Sequence, residues 1–169
     1  MKNNKKSMNN NTFNNPISIR KGNLQDLSEM LILFQDTITM VCKGDYNPNQ
    51  IEAWKSGADN KERWLDVMKE QYILIAESEN KMVGFCTLAQ GNYIDLLFVH
   101  KDYQQHGIAS QLYNMAEKEA VQQQQKFLTA DVSITAKPFF ESMGFKVIQE
   151  QIVNVKGIDL INYKMEKRL

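Results

Sequence analysis

The stretch QQHGIAS, residues 104–110, joins an apolar run, YIDLLFV, to a helical-looking stretch, IASQLYNMAEKEAV. A strand end that feeds a helix start through small residues gathers several backbone N–H groups in one place, because the first turn of a helix has no intrahelical acceptor for its donors. Such a turn binds anions, and pyrophosphate is the obvious candidate. Gly107 leaves the backbone bare where a phosphate would press against it, and Ala109 keeps the helix start unobstructed. Taken alone, a glycine here is explained at least as well by the conformational need of the turn. The stretch has neither the G-x-G-x-x-G of dinucleotide folds nor the G-K-[ST] ending of a phosphate-binding NTPase loop.

Other side chains with reactive potential are sparse. His100 and His106 stand on either side of the turn's start with no third ligand at metal spacing, so no metal site is expected. Cys42 and Cys86 form no paired ligand motif, and in a chain of 169 residues neither is needed as a disulfide staple; both read as free thiols. No Ser-His-acid arrangement supports a hydrolase.

The elements that would position the turn follow from apolar periodicity. Ile17 and Ile19 alternate with polar residues in a short strand, after which Leu24, Leu27, Met30, Leu31, Phe34 and Ile38 fall at helical spacing. Asn47 and Pro48 suit the start of a second helix, and NKERWLDVMKE suits a further short one. YILIAES and KMVGFCTLA form a hairpin through the polar turn SENK, and YIDLLFV is the next strand. The helix after the turn places Ile108, Leu112, Met115 and Ala116 on one face. KFLTADV is a strand, TAKPFFESM a short helix, and FKVIQEQIVNV and LINYKMEK are closing strands. An antiparallel meander therefore leads into a βαβ unit, which makes a mixed α+β sheet flanked by helices.

Composition fits one domain over residues 16–169. The chain is 43% hydrophobic and 24% charged, enough to bury a core. Residues 1–15 are rich in Asn and Lys and bury almost nothing, so a disordered tail is expected there. Lys plus Arg number 20 and Asp plus Glu 20, which gives no basic field for nucleic acid. No segment approaches a membrane span or a signal peptide, and a cytoplasmic location is the default expectation.

The spacing V-x-x-x-x-Q-x-x-G-x-A, carried by Val99, Gln104, Gly107 and Ala109, resembles the acetyl-coenzyme A signature of the GNAT superfamily of N-acetyltransferases, Q/R-x-x-G-x-G/A. AKPFFESMGF is similar to that family's later helix and strand, A-x-x-F-Y/F-E-x-x-G-F. The closing GIDLINYKMEKRL and the stretch from Asp45 to Trp54 resemble bacterial members. The resemblance implies a twisted, largely antiparallel central sheet of six to seven strands with a βαβ cofactor unit. It implies that the strand before the turn splays from its neighbour, so that backbone groups of Leu97, Phe98 and Val99 hold pantetheine and an N–H near Leu97 polarises the thioester carbonyl. Residues Gln104, Gln105, His106, Gly107, Ile108, Ala109 and Ser110 would then hold the pyrophosphate.

A base must take a proton from the acceptor, and in this family a carboxylate near the splayed strand often serves through water. Asp95 is the acidic residue of YIDLLFV, and simple alternation places it on the face of Leu97 and Val99; satisfying local backbone donors is an equal reading. Many relatives carry a tyrosine where this chain has Phe140, so a tyrosine general acid is missing, and Ser133 stands where relatives often have an asparagine that contacts the pantetheine arm. Tyr46 falls where the family builds its acceptor wall, whereas Trp54 and Trp64 read as core anchors. The implied activity is acetyl transfer from acetyl-coenzyme A to a primary amine of a small molecule or protein, with a non-catalytic acyl-coenzyme A sensor as the alternative. The long closing strands suit pairing in a homodimer and a bare edge equally.

Overall fold

Seven strands pair into one sheet in the order β1-β2-β3-β4-β5-β7-β6. A computed structural model describes residues 16–169, and the tail expected over residues 1–15 lies outside them. The strands are β1 (Ser18–Lys21), β2 (Tyr72–Ser78), β3 (Lys81–Ala89), β4 (Tyr93–Val99), β5 (Phe127–Ser133), β6 (Lys146–Val155) and β7 (Ile158–Arg168). The helices are α1 (Leu27–Val41), α2 (Pro48–Lys55), α3 (Lys61–Glu70), α4 (Ile108–Gln122) and α5 (Lys137–Ser142). All pairings are antiparallel except β4 with β5. This is the mixed α+β arrangement read from the chain.

Local chemistry sets the boundaries. Asn47 and Gln50 cap α2 reciprocally, side chain to backbone, and Pro48 occupies the first helical position. Between β2 and β3, Glu79 and Asn80 both take left-handed conformations, the geometry of a two-residue turn whose twist matches the flanking strands. Two expectations shift. Asn23 and Asp26 close a separate short turn before α1, which leaves Leu24 exposed; and Met115 is exposed while Tyr113 is buried, because the row Ile108, Leu112, Ala116 and Ala120 faces the sheet.

Helices cover both faces. On one, α4 and α5 bury Leu112, Tyr113, Phe140 and Phe145 against β2–β5; on the other, α1 and α3 bury Met30, Phe34, Ile38, Trp64 and Val67 against β2–β4. Gly84 on β3 lets α4 lie close to the sheet, since a Cβ there would stand 3.1 Å from the Phe98 carbonyl oxygen and 3.3 Å from Ile108. Among the described residues, no helix is long and apolar enough to cross a membrane.

The irregularity in the centre of the sheet positions everything that follows. Asp95 is an extra residue in β4, inserted between the pairs Leu88↔Ile94 and Thr87↔Leu96. Such a bulge bends and twists its strand. On the other side, β4 pairs with β5 only at Tyr93↔Thr129 and Ile94↔Ala130, so the two strands part at the bulge. The Leu96 N–H is satisfied by the hydroxyl of the fully buried Thr87, 3.1 Å away. Thr87→Val keeps the shape but removes that bond, and should destabilise the fold by about 0.5–1.5 kcal/mol, read as a lower urea midpoint at unchanged slope. An unchanged midpoint would mean that the bulge does not depend on this bond.

Candidate active site between the splayed strands

Beyond Ile94 the gap between β4 and β5 opens into a cavity of about 640 Å³, continuous from the turn after β4 to the inner surfaces of α1, α2 and α3. The direction of the β4 amides decides what the gap offers. Leu96 N–H donates to Thr87 Oγ1 and His100 N–H to the Val83 carbonyl oxygen at 2.8 Å, both on β3. Alternation then turns the amides of Leu97 and Val99 toward the gap, where no strand meets them. Phe98 differs from expectation: its backbone faces its β3 partner Phe85, and its ring packs between Phe34 and Phe85 at centroid distances of 5.1 and 5.5 Å. It shapes the wall and brings no backbone donor.

The Val99 carbonyl oxygen is already engaged, accepting from Gln104 Nε2 at 2.5 Å and from Thr37 Oγ1 at 3.3 Å. Gln104 thus turns its side chain back to tie the turn to the strand end. Gln105 and Gly107 both have left-handed backbones, with φ of 61° and 77°, and Gly107 caps α4. Successive N–H groups in such a conformation form a concave donor site. The amides of Ile108, Ala109 and Ser110 join it as first-turn donors. A Cβ on Gly107 would meet nothing within 4 Å, so the glycine answers the backbone conformation and leaves an open cradle. Gln104, Gln105, Gly107, Ile108, Ala109 and Ser110 line the cavity; Ile108 is core and offers backbone only. His106 is not among the lining residues, and its ring stands 6.5 Å from that of Tyr103.

Asp95 also departs from expectation. The bulge breaks the alternation, so Leu97 and Val99 pack toward α4 whereas Asp95 faces α3. Its Oδ1 accepts from Arg63 Nη2 at 2.9 Å and its Oδ2 from Gln71 Nε2 at 2.7 Å. Each oxygen keeps a lone pair, and Asp95 lines the cavity.

On the helical side Tyr46 is buried and its hydroxyl joins distant segments, accepting from Ile134 N–H at 2.9 Å and donating to the Ile161 carbonyl oxygen at 2.7 Å. Burial pushes this phenol up to about 12. Trp54 stacks edge-on against it and is only half-buried, lining the cavity, whereas Trp64 is the core residue expected, its indole N–H bonded to the Gly57 carbonyl oxygen at 3.1 Å. Cys42 is buried in the same wall, where desolvation raises its thiol. Phe140 is buried against Phe139 and Phe145, and the Ser133 hydroxyl, which lines the cavity, accepts from the Ala136 N–H at 3.1 Å. Thr37, Arg63, Gln71 and Thr87 carry site roles that no local pattern signals, because each acts on a residue at least nine positions away.

Comparison with known proteins gives a consistent picture. The family model for an acetyltransferase (GNAT) domain matches residues 42–167. The Escherichia coli K12 protein YafP, an uncharacterized N-acetyltransferase, is 34% identical over 151 residues, spanning 89% of this chain and 95% of that one. A GCN5-related N-acetyltransferase from Rhodopseudomonas palustris superposes with a TM-score of 0.86 at 32% identity, covering 90% of this chain and 95% of its own. The PaiA N-acetyltransferase from Thermoplasma acidophilum, solved with coenzyme A, has the same fold, with a TM-score of 0.72 at 22% identity and coverage of 91% and 99%.

Tyr46→Phe tests how the wall is held. Loss of the hydroxyl leaves the Ile134 N–H and the Ile161 carbonyl without their partner and should cost about 1–3 kcal/mol in urea unfolding. A loss below about 0.5 kcal/mol, the scatter of ordinary surface changes, would show that Tyr46 is a passive lining residue.

Proposed function

The chain belongs to the GNAT acetyltransferase family, and from that premise we propose that it moves the acetyl group of acetyl-coenzyme A onto a primary amine of a small acceptor by direct attack in a ternary complex. As a member it is an acyltransferase. The observation that carries the reading is the gap itself: a strand with unpaired Leu97 and Val99 amides, ending beside an open cradle of N–H donors. These residues fit a pantetheine arm that needs backbone partners and a pyrophosphate that needs donors.

Acetyl-coenzyme A, when bound, supplies an activated thioester: the amine nitrogen forms a C–N bond to the acetyl carbon, the C–S bond breaks, the coenzyme leaves as thiolate, and the amine gives up a proton. The Leu97 N–H is the donor for the carbonyl oxygen as negative charge grows there. Binding both partners in one cavity supplies proximity. Asp95 receives the proton through water, using the lone pairs that Arg63 and Gln71 leave free. Phe140 has no proton to give, so another group or solvent protonates the thiolate. That missing hydroxyl favours, as a second reading, a non-catalytic acyl-coenzyme A sensor; thiol release with any amine excludes it.

Two measurements test the assignment. Gly107→Asp keeps a residue that tolerates the left-handed conformation but puts a carboxylate on the cradle. Calorimetric affinity for acetyl-coenzyme A should fall by at least about tenfold, with Gly107→Asn near wild type. Equal affinities in the folded variants would remove the pyrophosphate from this turn. For Asp95→Asn, kcat should fall about a hundredfold; a wild-type rate would end the proposed role of Asp95.

A further inference from the structure

The charges on the cavity wall restrict what the acceptor is. Of the described lining residues, those with ionisable acid or basic side chains are Arg63, Asp95 and Asp131. Arg63 is held by Asp95 in an ion pair of 2.9 Å. Asp131 accepts from the Tyr93 hydroxyl at 3.2 Å and from Gln151 Nε2 at 2.9 Å. One cation faces two carboxylates, and it is already paired. The remaining wall on the side of α1, α2 and the β6–β7 arm is largely apolar, formed by Phe34, Trp54, Phe98, Val153, Val155 and Leu160.

These facts discriminate between classes of amine. An ammonium entering the cavity meets a wall with an excess negative charge and is favoured. A carboxylate or phosphate on the same molecule meets only Arg63 as a cation among the described lining residues, and must be desolvated against apolar side chains or share a guanidinium whose charge Asp95 already compensates. The penalty is sharpest for an α-amino acid, whose carboxylate is two bonds from the reacting nitrogen and so travels with it toward Asp95. The volume is shared with the pantetheine arm, which limits the rest of the body.

We propose that the acceptor is a small primary amine on an uncharged, apolar body, an arylalkylamine or alkylamine, and that free amino acids and phosphorylated amines are excluded by charge. This rests on the acetyl-transfer reading above and goes further by naming the substrate class. In the transfer, the neutral amine forms the N–acetyl bond as the thioester C–S bond breaks, one proton leaving the nitrogen and the thiolate being released, so the product is an uncharged apolar amide.

The test uses the whole protein and three amines that differ at one carbon: phenethylamine, phenylalaninamide and phenylalanine. Thiol release is followed with each, with rates referred to the free-amine concentration at each pH, and calorimetry measures acetyl-coenzyme A binding and the binding of each amine to the coenzyme A complex. The expected result is a kcat/KM for phenethylamine at least about tenfold above that for phenylalanine, with phenylalaninamide on the phenethylamine side; the amide separates bulk at the α-carbon from charge. Val153→Lys places a cation on an exposed position of the wall and should narrow the gap between phenylalanine and phenethylamine severalfold without changing the melting temperature. Phenylalanine used or bound as well as phenethylamine overturns the inference while leaving the transferase reading intact. So does failure of both neutral amines to bind or react when acetyl-coenzyme A binds normally. Absence of acetyl-coenzyme A binding would remove both readings together.

Discussion

The broken ladder between β4 and β5 is the constraint on which the rest of this molecule depends. A parallel pair in the middle of a sheet normally runs its full length, because each unpaired backbone group away from water is costly. Here pairing ends after Ile94↔Ala130, and the inserted Asp95 bends β4 away at that point. The bulge is stabilised from two sides: the buried Thr87 hydroxyl takes the Leu96 N–H, and Arg63 and Gln71 hold the Asp95 carboxylate. What would be a defect in a structural sheet becomes a row of directed donors.

Around that gap the polar groups divide into those the fold consumes and those it leaves available. The Val99 carbonyl and Tyr46 hydroxyl are consumed, tying the turn to the strand end and the closing hairpin to the segment after β5. The amides of Leu97, Val99 and the first turn of α4 remain directed into the cavity. Rigid hydrogen bonds thus surround a site whose own donors are backbone groups, which hold their direction without side-chain entropy to lose. The same economy describes the cradle at Gly107, where backbone N–H donors converge and no lysine or arginine of the turn lines the cavity.

Much of this was legible before the structure. Gly107 and Ala109 mark the turn because small residues between a strand end and a helix start are a local pattern, and Gln104 joins them through the family signature. Asn47 and Pro48 mark α2 because helix capping is a local event, and the structure adds Gln50 as the reciprocal partner of the cap. Pattern alone treats the turn and the strand as blocks, whereas in the structure the Phe98 backbone faces β3 and His106 lies off the cavity wall, because a contiguous motif contains side chains that point different ways. Met115 and Leu24 show the same limit for helices, where apolar spacing marks a face only if the helix begins where the pattern does.

The sequence by itself determined the element order, the α+β class, the strand-to-helix turn at Gly107 and the family resemblance, since all of these reside in short stretches whose physics is local. Only the tertiary structure decided the face of Asp95, the directions of the Leu97, Phe98 and Val99 amides, and the partners Thr37, Arg63, Gln71 and Thr87. Alternation along β4 predicts the wrong face for Asp95 because one extra residue reverses strand parity, and a bulge exists only in relation to the strand beside it. The charge balance of the acceptor wall is of the same kind, since Arg63 and Asp95, Tyr93 and Asp131 neutralise or engage one another across 32 and 38 residues of chain.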